Sequence, residues 1–258
     1  VCNGCTDDSA SIARRYPGVL VEELDAPSKP SALNCGERLA GDAFPRLYVD
    51  ADVTFEPGAL ARLVDPLRRS EVVAVAPAVR YLTDGTGWLV RSYYYGIVAM
   101  PRRAAWRATH LAGRGVYGTN RAGRTRFGSF PELRADDAYF DSQFGEAERC
   151  VVTDAVVGVH VPRTTRELVR NIARVRAANR ELSARLDEQP CRSSTSPVDT
   201  ALSARVVRTV DAWRRSPLVR DFQGMATVTR LVGFGVVRTL ALAYRLWLAV
   251  NDRDAAWR

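Results

Sequence analysis

Lysine is almost missing from this chain of 258 residues. Lys29 is the only one, so the formal charge of +8 is carried almost wholly by arginine. Arginine is a planar, permanently charged donor that suits phosphate groups and anionic surfaces. No run of basic residues is interleaved with aromatics as in a nucleic-acid groove, and nucleic acid is not an expected partner. No apolar run reaches the length that spans a bilayer, and no stretch resembles a signal peptide. Histidine is scarce as well: His110 and His160 are the only two, and neither has a ligand partner at finger spacing. The five cysteines, Cys2, Cys5, Cys35, Cys150 and Cys191, lack framework spacing, and Cys2-Asn3-Gly4-Cys5 has no second pair to complete a zinc site. Reduced thiols in a cytosolic protein are the plainer account.

What is present is enough to bury one good core and an appendage, with 47% hydrophobic residues. The chain is organised around Arg46-Leu47-Tyr48-Val49-Asp50-Ala51-Asp52-Val53, which reads as a short buried strand delivering two carboxylates to its C-terminal edge. Ligands sit at that edge in open α/β sheets. Two aspartates there suit a hard divalent cation, which prefers oxygen ligands and bridges to phosphate. Upstream, Val1 to Asp8 reads as a strand end entering a polar turn, followed by a helix that stops at Pro17-Gly18 and a strand at Val19-Leu20-Val21. A helix opens at Ser28 and runs to about Leu39. Downstream, Pro57 begins a helix with Leu60, Leu63, Val64 and Leu67 on its apolar face, and Val72 to Val79 is a continuous apolar strand. This alternation predicts an α/β fold with a mostly parallel sheet flanked by helices. The chain opens at a strand-to-loop transition, and one preceding β-α unit of about 30 residues is expected upstream.

Asn3-Gly4-Cys5-Thr6-Asp7, Lys29-Pro30-Ser31-Ala32-Leu33-Asn34 and Asp50-Ala51-Asp52, in this order and spacing, resemble a family 2 glycosyltransferase of the GT-A fold. The resemblance covers Val1 to about Asn179. It implies that Asn3 and Asp7 line the nucleotide of a nucleotide-diphosphate sugar, that Lys29 and Asp50 lie near it, and that Asp50 and Asp52 hold Mg²⁺ or Mn²⁺. Cys2-Asn3 stands where two acidic residues are common in the family, and Ser28 where glycine is usual.

Asp136-Asp137, after Phe130-Pro131-Glu132, is a second carboxylate pair just ahead of a helical run, where acids also favour a helix N-terminus. By the same resemblance Asp137 is the catalytic base and Asp136 its partner. A carboxylate can take the proton of an acceptor hydroxyl as it attacks the anomeric carbon. His160, ending a strand from Val151 to Val161, is a further candidate metal ligand or a packed strand residue. Leu168, Ile172, Val175, Leu182 and Leu186 form a helix-period stripe, and on that helix Arg174 and Arg176 resemble the family's diphosphate and acceptor contacts. Tyr93-Tyr94-Tyr95, Trp106 and Gly113-Arg114-Gly115-Val116-Tyr117-Gly118 are either an acceptor-facing aromatic surface or a helix on the sheet followed by a glycine hairpin.

Residues 188–200 read as a linker after a domain spanning 1–187, and 201–258 as a helical appendage with Leu202, Val206, Val210 and Trp213 at helical spacing. Within residues 225–250, Arg230, Arg238 and Arg245 share one helix side. That disfavours insertion and fits either a helix lying in the membrane interface or a flap packed on the catalytic domain. The expected activity is inverting transfer of a sugar to a glycan or lipid-linked acceptor at the cytoplasmic face of the plasma membrane, building cell-surface polysaccharide or glycolipid. A sugar-nucleotide pyrophosphorylase and a non-catalytic nucleotide-sugar-binding or scaffold protein are the competing readings.

Overall fold

A computed structural model describes residues 1–188 and 227–250, with side chains described for 1–186 and 232–244. Apart from Glu188, which ends a helix, the expected linker 188–200 and the Leu202, Val206, Val210, Trp213 stripe lie outside the described residues, as do the side chains of Arg230 and Arg245. The elements are β1 (Cys2–Asn3), α1 (Ser9–Ala13), β2 (Glu23–Leu24), α2 (Lys29–Ala40), β3 (Arg46–Val49), β4 (Val53–Phe55), α3 (Ala59–Arg68), β5 (Ala74–Leu82), α4 (Trp88–Ala99), α5 (Pro101–Thr109), β6 (Val116–Thr119), α6 (Arg121–Arg124), α7 (Asp136–Ser142), a 3₁₀ turn (Glu146–Glu148), β7 (Arg149–His160), α8 (Thr165–Glu188) and α9 (Thr227–Val250).

The main sheet has the order β3-β6-β5-β7-β4, and β1 pairs with β2 in a separate parallel ribbon. In the main sheet only β5 and β7 are parallel neighbours, which differs from the mostly parallel sheet expected. The expected parallel set is present, since β3, β5 and β7 run one way. Antiparallel β6 inserts between β3 and β5, and antiparallel β4 closes the far edge. Both added strands are too short to show period-two patterning, so helix–strand alternation alone overlooks them.

The link Asp50-Ala51-Asp52 joins the two edge strands, β3 and β4. Four Cα steps reach at most about 15 Å, whereas a flat five-stranded sheet separates its edges by about 19 Å. The sheet must therefore curl around this link. Gly115, at φ 71°, lets β6 start here: a Cβ on it would stand 2.7 Å from Val53 and 3.7 Å from an Asp50 carboxylate oxygen. The Asp50 N–H donates to the Gly115 carbonyl at 2.8 Å.

Local chemistry accounts for the helices around the site. Ser28 caps α2, its Oγ accepting from the Ser31 N–H at 3.1 Å, and Pro30 sits in the first turn where its missing donor costs nothing. On α3, Leu63, Val64 and Leu67 are buried as expected but Leu60 is exposed. On α8, Leu168, Ile172 and Leu182 are buried while Val175 and Leu186 face outward, because the first half of the helix packs on the cluster holding Tyr93 and Phe234 and the second on Leu133 and Ala135. The strand expected at Val19-Leu20-Val21 forms instead at Glu23–Leu24, leaving Leu20 exposed.

Two contacts hold the periphery. Glu37 of α2 accepts from Arg46 (2.6 Å), from Tyr48 Oη (2.6 Å) and from Arg124. Burial alone would raise the Glu37 carboxyl, but these donors hold it below the usual range. Helix α9 lays Phe234, Val237 and Ala241 into one cluster with Tyr93, Tyr94, Leu168 and Ile172, and a Cβ on Gly96 would lie 2.3 Å from the Phe234 ring.

Removing the carboxylate strands two guanidiniums, so Glu37→Ala should cost about 3–5 kcal/mol in chemical denaturation, as expected for a broken buried pair. Gly96→Ala would favour an isolated helix by about 1 kcal/mol. Here it should loosen α9, seen as faster limited proteolysis within 227–250; unchanged protection would mean that Phe234 can shift freely.

Candidate active site

At the C-terminal ends of β3 and the α2 cap, one ammonium gathers three elements. Lys29 Nζ lies 2.7 Å from Asp50 Oδ1 and 3.1 Å from Asp136 Oδ2. Burial would lower the Lys29 pKa, but the charges of Asp136 and then Asp50 more than offset it and raise it. Asp136 is itself buried and also accepts from Tyr117 Oη of β6 at 2.7 Å. Tyr117 stacks on Tyr48 of β3, so an aromatic layer beneath the carboxylates fixes their height.

Asp137, the next residue, turns the other way. Its Oδ2 accepts from the Gly113 N–H at 2.6 Å and its Oδ1 from the Ala138 N–H at 2.8 Å. Desolvation, then the neighbouring Asp136 charge, push its pKa up, while these donors and Lys29 pull it down; the net direction is upward. Two adjacent carboxylates thus differ in role. Asp136 is ion-paired with Lys29, whereas Asp137 is held by two backbone donors and has a raised pKa.

The loop carrying this pair is clamped to α2. Asn34 makes a reciprocal pair with Phe130, Nδ2 donating to its carbonyl (2.9 Å) and Oδ1 accepting from its N–H (2.7 Å). Glu132 accepts from the Ser28 and Ser31 hydroxyls at 3.2 and 3.3 Å. Tyr117 and Gly113, read from the sequence as part of an acceptor surface or a glycine hairpin, instead donate to Asp136 and Asp137, and Asn34 and Glu132 serve as clamps that the sequence does not assign. Asn34 lay inside the lysine motif and was detectable there; the other contacts exist only across long sequence separations.

Other expected site residues stand elsewhere. Asn3 ends β1, and Asp7 spends its carboxylate on the Ser9 N–H at 3.0 Å at the start of α1. Arg174 donates to Asn171 on its own helix, and Arg176 acts electrostatically on Tyr93. Asp52 and His160 are exposed at the edge shared by β4 and β7, where Val53 pairs with Val159. Among the described residues no group of three or more His, Cys, Asp or Glu converges to hold a metal ion, so Asp50, Asp52 and His160 are not assembled as a three-ligand set. Tyr93 and Tyr94 are core residues rather than an exposed acceptor platform. A recess of about 380 Å³ lies at the opposite end of β3, lined by Glu37, Arg46, Phe44, Arg121 and Arg124, away from the carboxylates.

A family model described as glycosyl transferase family 2 matches residues 1–127, the half that contains Lys29, Asp50 and Asp52. Residues 1–127 belong to that family. Its fold is GT-A. Among solved structures, the chain is similar to the mannosyltransferase PcManGT from Pyrobaculum calidifontis, determined in complex with GDP-Man and Mn²⁺, at 18% identity and a TM-score of 0.57, over 94% of this chain and 75% of that one. No curated protein matches the sequence significantly. The family match supports a glycosyltransferase.

Because the folded-state pKa of Asp137 is raised, the native state binds more protons than the unfolded chain between the ordinary carboxylate value of about 4 and the folded one. Stability therefore falls as pH rises through that window. Asp137→Asn should raise the melting temperature at neutral pH and flatten this dependence. An equal or lower melting temperature would show that the Gly113 and Ala138 hydrogen bonds outweigh burial. Lys29→Met should move the Asp137 titration further upward, read by carboxyl carbon NMR.

Proposed function

We propose that the chain transfers a sugar, with inversion, from a nucleotide-diphosphate donor to an acceptor hydroxyl, with Asp137 as the general base. The observation that carries this reading is the division of labour between Asp136 and Asp137: one carboxylate neutralised by Lys29, its neighbour raised in pKa and held by two backbone donors. A base with a raised pKa takes a proton more readily in the transition state, and a positioned carboxylate contributes about 10²- to 10⁴-fold. Asn34 and Glu132 keep the Asp137 loop on α2, so the base holds its place as the acceptor approaches.

Asp50 and Asp52 offer the hard oxygen donors that a divalent metal takes, and Mn²⁺ accompanies the donor in the similar mannosyltransferase. Bound there, Mg²⁺ or Mn²⁺ would neutralise the departing diphosphate. Asp50 already carries the Lys29 ammonium, so Lys29 and the metal would share its charge. Asn3 and Asp7 are assigned to the nucleotide, and Arg174 and Arg176 to the diphosphate and acceptor side. Residues 1–187 form the catalytic unit, working at the inner face of the plasma membrane on a glycan or lipid-linked acceptor. The pyrophosphorylase and scaffold readings lose ground to the family match and to the poised Asp137.

Thermal unfolding with UDP, GDP or dTDP, with and without Mn²⁺, tests the donor site, since a ligand of the native state raises the melting temperature. A metal-dependent rise with one nucleotide, lost in Asp52→Ala, is expected. Asp137→Asn should keep that rise while turnover falls at least about 100-fold. Retained turnover in Asp137→Asn would remove it as the base.

A further inference from the structure

The packed helices α4, α5 and α9 carry no acidic residue. From Trp88 to Thr109, through α4 and α5, and again throughout α9, the sequence holds arginines but neither Asp nor Glu. These helices pack together. Gly233 of α9 sits against Ser92 and Trp88, Gly96 receives the Phe234 ring, and Tyr93 stacks on Phe234 with centroids 5.5 Å apart. Arg103 of α5 and Arg238 of α9 both stand over the Phe234 ring, 5.8 and 5.7 Å from its centroid. Arg91, Arg102 and Arg238 are exposed, and Trp88 is partly so.

Helix α9 buries only one side. Val232, Val236 and Leu240, spaced four apart, form an outward stripe at 56%, 40% and 43% exposure. The helix is 24 residues long, yet no described helix is long and apolar enough to cross a membrane. An exposed apolar stripe on an acid-free surface that also carries exposed arginines suits the plane of a bilayer interface, with the stripe among acyl chains and the guanidiniums at headgroup phosphates.

We propose that the α4–α5–α9 face is a docking surface for an anionic lipid bilayer. A second copy of this chain fits the face poorly, because a two-fold contact would set the same acid-free basic surface against itself. The face adjoins the β4–β7 edge that carries Asp52, since Val161, directly after β7, packs in one cluster with Tyr94 of α4 and Phe234 of α9. Docking would therefore hold the carboxylate edge close to the membrane, where a lipid-linked acceptor presents its hydroxyl. This deepens the proposed acceptor class, but its test reads lipid binding and not transfer, so the two readings fail separately.

The experiment is co-sedimentation with vesicles of phosphatidylcholine, alone or with about a third phosphatidylglycerol. Wild type should bind the anionic vesicles and release at high salt. The triple variant R91E/R102E/R238E should bind at least roughly tenfold more weakly, given the attraction of each juxtamembrane arginine. V236D/L240D should also lose binding, while both variants keep the nucleotide-induced melting shift as evidence of folding. Glycerol phosphate should not compete, separating a bilayer from a free phosphate ligand. The proposal is overturned if wild type ignores anionic vesicles, if both variants bind like wild type, or if V236D/L240D abolishes a dimer instead.

Discussion

The ammonium of Lys29 is the constraint on which the site depends. It bridges Asp50 at the end of β3 and Asp136 at the start of α7, and it rides on the first turn of α2. Without a cation there, buried Asp136 would face Asp50 and Asp137 with only Tyr117 as a donor, and like charges this close resist joint ionisation. One side chain thus couples the strand that ends at Asp50 to the helix that carries Asp136 and Asp137. Because it is the only lysine, no neighbour can substitute for it.

A second layer of structure positions that coupling. The short Asp50–Asp52 link forces the sheet to curl, and Gly115 leaves room for β6 to close against it. Tyr48, Tyr117, Phe130 and Phe140 pack as one aromatic cluster beneath the carboxylates. The Asn34–Phe130 pair and the Ser28–Glu132 contact then fasten the base loop to the helix bearing Lys29. Rigid elements fix the charges, which is what a preorganised site requires.

The distribution of charge across the molecule follows a different logic. Acidic residues occur on α2, α3, α7 and α8, whereas α4, α5 and α9 have none. Such an asymmetry adds little to folding, since exposed ion pairs contribute little. It does set which surface meets an anionic partner.

The fold class, the Lys29 helix, the strand ending at Asp50 and the acidic pair at Asp136-Asp137 were legible in the sequence, because each is a local pattern: a cap, a short apolar run, a motif with fixed spacing. The resemblance to family 2 rested on those same patterns, and the family match over residues 1–127 covers the Lys29 helix and the strand ending at Asp50 but ends before Asp136. What the sequence left open were contacts between residues far apart along the chain. The insertion of β6 between β3 and β5, the outward turn of Leu60, Val175 and Leu186, and the burial of Tyr93 and Tyr94 depend on which surfaces meet. The unequal surroundings of Asp136 and Asp137 are of the same kind: as sequence they are identical neighbours, and only Lys29, Tyr117 and Gly113, brought in by the folded chain, make one an ion-pair partner and give the other a backbone donor. Side-chain chemistry is written residue by residue, whereas burial and pairing, which set pKa and role, exist only once distant segments pack together.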